Sequence, residues 1–120
     1  MLRSIDAPLV AADEHGRIMY ANAGVEALLG WRPGDLEGCP LTTLMPERYR
    51  ERHRRGFDHY VETGESRLLA RPIRVPARHA QGHEVLVDLT IHPIGDGTAA
   101  VFATMRDAST DPDPGALRIV

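Results

Sequence analysis

The hydrophobic pattern of the chain changes period at Gly64, and this switch confines it to folds that set a helix against a sheet. Before the glycine, Tyr49, His53, Gly56, Phe57 and Tyr60 recur at steps of four, three, one and three, which places them on one helical stripe. Pro46 opens that helix, Glu47 suits the positive end of its dipole, and Gly64 stops it. Arg48, Glu51, Arg54, Arg55, Asp58 and His59 fall off the stripe, as a solvated surface should. His53 is then the one ionisable residue at the centre of the buried face. Past the glycine the period drops to two. From Glu84 to His92, Val85, Val87, Leu89 and Ile91 fall on one side of a strand, with Asp88, Thr90 and His92 on the other. Residues 67–78 alternate more loosely, and Pro72 and Pro76 mark an edge or bulged strand. Gly95-Asp-Gly97 turns the chain into a final strand over residues 98–106.

The first third reads as a hairpin followed by short helices. Residues 8–12 and 17–21 are strands joined by Asp13-Glu-His-Gly16, with Gly16 supplying the positive φ of the turn. Asn22 caps a helix over residues 23–29, where Val25, Leu28 and Leu29 share a face, and Gly30 ends it. Pro33 suits the first position of another helical turn. Residues 39–45 are irregular with one further turn. Two strands, a run of helices and three strands in meander give an α+β fold, one antiparallel sheet with helices on one face.

Composition narrows the chemistry. The 120 residues suffice for one domain, and 42% hydrophobic against 26% charged residues is ordinary for a globule. A net charge of −3 gives no footprint for nucleic acid, and no apolar run reaches membrane-spanning length. All 14 basic residues are arginine, which excludes lysine Schiff-base chemistry and a phosphate-cradling lysine. The single cysteine, Cys39, excludes a disulfide framework and fits a cytoplasmic setting; it reads as a small buried apolar residue. Only six residues are aromatic, so the core is aliphatic and leaves room for at most a modest cavity. No nucleophile–base arrangement is present, so no catalytic residue and no enzyme activity are expected. His79 and His83 flank a polar turn with no third ligand close in sequence, so no metal centre is expected. Asp13, Glu14 and His15 are a hairpin tip. The arginines at 48, 50, 52, 54 and 55 are a charged helix surface balanced by Glu47, Glu51 and Asp58. Trp31, just past a helix end, is read as partly buried and structural.

Several pieces, taken in order, resemble the PAS sensory domains. They are residues 12–22 across the hairpin turn, Leu28-Leu-Gly-Trp31, Asp35-Leu-Glu-Gly38, Leu44-Met-Pro46, Gly82 before the alternating strand, and Arg106-Asp107. The resemblance covers residues 8–109 and is closest in pattern to FixL-type and related bacterial PAS domains. It implies a five-stranded antiparallel sheet in the order 2-1-5-4-3, with residues 1–110 as a single domain and 111–120 as a tail or truncated linker. It also implies a non-catalytic signalling sensor, binding a small ligand or a signalling protein and relaying a conformational change, often as a homodimer. The expected pocket lies between the sheet and the long helix, lined by Met45, His53, Phe57, Leu68, Leu89 and Ile91. The signal is expected to leave through the last strand and Asp107.

The resemblance also bears on cofactors. Flavin-binding light sensors of the family carry their reactive cysteine at the position of Leu41, whereas Cys39 falls two residues early, so flavin is not expected. The oxygen sensors of FixL type bind haem through a histidine six residues after Leu-Met-Pro-Glu, and here that count lands on His53. Leu68, Leu89 and Ile91 match the aliphatic residues over the other face of the haem. The arginine that holds oxygen matches Ile73, with Arg71 and Arg74 close by. A haem-binding gas sensor with His53 as axial ligand is therefore one alternative, and a docking or dimerisation module with no ligand is another. Against haem stands a His53 satisfied by a loop carbonyl and a hydroxyl or water, or serving only ligand polarity; no cofactor is the leading expectation.

Overall fold

The computed structural model describes residues 7–64, 71–95 and 100–109. Strands β1 (Leu9–Ala12) and β2 (Ile18–Ala21) form the N-terminal hairpin. The Asp13 carboxylate closes its turn by accepting from the backbone N–H groups of His15 and Arg17. Those bonds hold the Asp13 carboxyl below its ordinary pKa. Helices α1 (Ala23–Leu29) and α2 (Pro33–Leu36), a 3-10 turn (Leu41–Leu44) and the long helix α3 (Glu47–Thr63) follow. Strands β3 (Ile73–Arg78), β4 (Glu84–Pro93) and β5 (Val101–Asp107) complete the sheet. Its order is β2-β1-β5-β4-β3, all neighbours antiparallel, as expected. Pro76 lies on β3, an edge strand where a missing N–H is tolerated.

The helix ends follow the residues that mark them. The Asn22 carboxamide accepts from Val25 N–H at the start of α1 and from Leu9 N–H on β1, and donates to the Ala7 carbonyl. One side chain thus ties the helix to the strand beside it. Gly30 and Gly64 end α1 and α3 with φ of 79° and 74°, the left-handed region that glycine enters without strain. The C-terminal end of α1 also receives the β3–β4 turn, because Ala80 N–H donates to the Leu29 carbonyl.

The dense part of the core lies under α1 and α2. Val25, Leu29 and Leu36 are fully buried against Val10, Ile18, Ala21, Val87 and Met105. A smaller cluster gathers Ala12, Tyr60 and Val101 at the C-terminal end of α3. On the opposite sheet face, Arg74, Asp88 and Arg106 stand directly beside one another on β3, β4 and β5. Asp88 accepts from both arginines, with Arg74 Nε at 2.7 Å. Arg74 is 1% exposed and Asp88 8%, so these two form a buried ion pair, which the exposed Arg106 joins from the surface.

Candidate functional site

The helix α3 is fixed at its two ends and stands off the sheet between them. Near its start, the Arg48 guanidinium grips the Glu84 carboxylate of β4 through two hydrogen bonds of 2.6 and 2.8 Å. That contact lowers the pKa of Glu84 and raises that of Arg48. Near its end, Tyr60 packs on Ala12 and Val101. Between these ends lies a cavity of about 360 Å³, walled by α3 on one side and by β1, β3, β4, β5 and the 3-10 turn on the other. Tyr60 is the one buried residue of α3. The helical stripe faces this cavity: Tyr49, His53 and Phe57 are half-buried and Gly56 is exposed.

The expected lining residues Met45, His53, Phe57, Leu89 and Ile91 all border the cavity. Leu68 lies outside the described residues, as do 111–120. Phe57 stacks beside His53 at 5.9 Å and reaches the hairpin turn, where its ring lies 3.5 Å from the space a side chain on Gly16 would occupy. The His53 imidazole makes no hydrogen bond or ion pair to another of the described residues. Burial pushes its pKa below the ordinary 6.5, which keeps it neutral at pH 7. A neutral imidazole offers one donor and one acceptor to whatever enters.

Polarity in the cavity is one-sided. Every lining side chain that carries nitrogen or oxygen (Tyr49, Arg52, His53 and Tyr60) comes from α3, and the facing wall is apolar throughout. The sequence pattern alone puts Arg52 on a charged helix surface; its place one residue before His53, on the rim of the stripe, is the signal that it borders the cavity.

Other sequence candidates fall elsewhere. Arg74 turns away from the cavity to Asp88, and Arg71 is exposed, so Arg74 does not substitute at the cavity for the arginine replaced by Ile73. Cys39 is half-buried rather than buried, its thiol donating to the Asp35 carbonyl at 3.3 Å. His79 and His83 stack at 4.2 Å, and no cluster of three metal-ligating side chains occurs among the described residues. Trp31 donates its indole N–H to the Arg78 carbonyl, a structural role. Asp107 closes β5 by accepting from the N–H and hydroxyl of Ser109, which lowers its pKa.

The family model described as PAS fold matches residues 2–111. The chain is a PAS domain. An uncharacterized protein of Azorhizobium caulinodans is 38% identical over 108 residues, covering 88% of this chain and 15% of that protein. A probable serine/threonine-protein kinase of Dictyostelium discoideum is 31% identical over 95 residues, or 78% of this chain and 6% of the kinase. The PAS domain thus spans a small part of either relative. Among solved structures, a PAS domain from Colwellia psychrerythraea superposes with a TM-score of 0.72 at 21% identity, covering 88% of this chain and 89% of that one. A PAS domain of a LuxR-family transcriptional regulator from Burkholderia thailandensis, in complex with ethanol, gives 0.64 at 19% identity, covering 86% and 89%. These likenesses establish the fold. PAS domains are in general signalling sensor modules and typically lack catalysis. Among the described residues no helix is long and apolar enough to cross a membrane.

Proposed function

We propose that this PAS domain is a non-catalytic sensor that takes a small molecule between α3 and the sheet and converts its occupancy into a shift of α3 against β5. The observation that carries this reading is the apolar cavity of about 360 Å³ with the unpartnered His53 imidazole on its wall. The volume lies at the lower end of the range for small-molecule sites. Ethanol in the Burkholderia relative is a ligand of still smaller size in the same fold. A ligand that fills the gap bears on the middle of α3, which the two end contacts leave unsupported. It shifts the helix only to the extent that it binds the two arrangements differently. β5 borders the cavity through Val101, Ala103 and Met105 and leads out to Asp107, which makes it the output route to a signalling partner or a second copy of the domain. Such a module suits a cytoplasmic signalling protein.

The haem alternative has an imidazole in a suitable place but not the room. A tetrapyrrole needs more space than a cavity of about 360 Å³ offers, and the cavity suits a far smaller guest. A docking module with a self-filled core is disfavoured by the same open volume. Native mass spectrometry of the purified domain tests the reading directly, and we expect a co-purifying small molecule or saturable binding of apolar probes. Absence of any bound or bindable small molecule overturns it. A Soret band on adding haemin would replace it with the haem reading.

A further inference from the structure

The arginines of α3 are not equivalent. Arg48 is engaged by Glu84, and Arg50 donates to the Met45 carbonyl at 3.3 Å. Arg54 pairs with Glu51 and Asp58, and Arg55 with Glu51. Arg52 alone has no acidic or carbonyl partner among the described residues, and it is the arginine that borders the cavity. No carboxylate lines the cavity to neutralise it. Beside it His53 carries a neutral imidazole with no partner, and everything across the gap is apolar.

We infer that the ligand of this cavity is a small monocarboxylate with an apolar body, its carboxylate held by Arg52 and His53 and its body laid against Leu44, Leu89 and Ile91. This rests on the cavity being a ligand site, as proposed above, and names its chemical class. A guanidinium presents a planar fork of N–H donors that matches a carboxylate two-for-two, and the neutral imidazole adds one further N–H. An amine would meet an unbalanced positive charge at the same rim. A purely apolar guest would leave the arginine and the imidazole where they are but gain nothing from either. At the packing density of protein interiors, the cavity holds a molecule of roughly ten to fifteen non-hydrogen atoms, the size of a medium-chain fatty acid or an arylalkanoic acid.

The test compares decanoate, decanol and decylamine by isothermal titration calorimetry on the domain and on Arg52→Met. Arg52 is exposed, so its replacement should leave the fold intact, and circular dichroism checks this. The expected result is decanoate binding at least about tenfold more tightly than decanol, a loss of one charge-assisted contact being of that order. Arg52→Met should erase that advantage, so that decanoate and decanol bind the variant equally. His53→Gln, which keeps a donor, should retain most of the preference, and His53→Leu, which leaves Arg52 as the remaining donor, should retain less of it. Equal binding of decanoate and decanol, or a preference that survives Arg52→Met, overturns the carboxylate assignment and leaves the cavity reading standing. Failure of all three probes to bind overturns the cavity reading itself.

Discussion

Burial of one titratable ring and of one carboxylate gives this domain two measurable signatures at the scale of single residues. His53 resists protonation in the folded state, whereas in the unfolded chain it takes up a proton near 6.5. Stability therefore falls as pH drops from above 6.5 toward the folded pKa, and this contribution is constant above 6.5. The groups facing the ring are Arg52, Tyr49 and Phe57 on its own helix and aliphatic side chains across the gap, so desolvation has no acidic partner to oppose it. A proton NMR titration should place His53 clearly below the ordinary 6.5; an ordinary value would refute the burial argument. Asp88→Ala removes the carboxylate against which the buried Arg74 guanidinium is folded. The expected loss is about 3–5 kcal/mol, read as a drop in the urea midpoint, and Asp88→Asn should cost less. The first of these residues was legible in the sequence and the second was not. A helical period places His53 on its stripe without knowledge of the fold. The meeting of Arg74, Asp88 and Arg106 depends on two strand registers that no local pattern supplies.

At the scale of elements, capping residues did most of the work that made the fold readable. Asn22, Gly30, Pro33, Pro46 and Gly64 mark the limits of α1, α2 and α3 because each has a backbone or side-chain property that local chemistry alone demands. The strands were less sharp: β3 begins at Ile73 and β5 at Val101, both later than the alternation suggests. Gly30 shows what local reading leaves out. A methyl group there would lie 2.5 Å from the His79 ring, in addition to the strain of a left-handed φ. Gly30→Ala should therefore cost more than the ~1–2 kcal/mol of the backbone alone, and a thermal melt should show a large fall. Restoring space with Gly30→Ala/His79→Ala should recover part of it. Asn22→Ala removes an N-cap and the ties to Leu9 and Ala7 together, with an expected cost of about 2–4 kcal/mol in chemical denaturation.

For the whole molecule, the contrast is between a densely packed half and an open half. The core under α1 and α2 anchors the sheet, while α3 bridges a gap between Arg48 at one end and Tyr60 at the other. Filling that gap from the sheet side should favour the packed state and exclude the guest. Ala103→Leu is expected to raise the melting temperature by a few degrees, corresponding to about 1 kcal/mol, and to abolish probe binding. A lower melting temperature would mean that the space is smaller than described. An aromatic-poor composition allows a modest cavity or none, and only the family resemblance places one between α3 and the sheet; the contacts at its two ends, Arg48 with Glu84 and Tyr60 with Ala12 and Val101, join residues far apart in the chain. The ionic row on the other face has its own bearing on this space. Sliding β4 by one residue would turn each of its side chains over, carrying Asp88 into the apolar chamber and Leu89 out of it. The charges act as a registration key, fixing strand alignment from the side that no guest touches. Positions facing the chamber are thereby free to vary in bulk and polarity, so the same frame can be retuned to a different molecule without renegotiating how its strands pair.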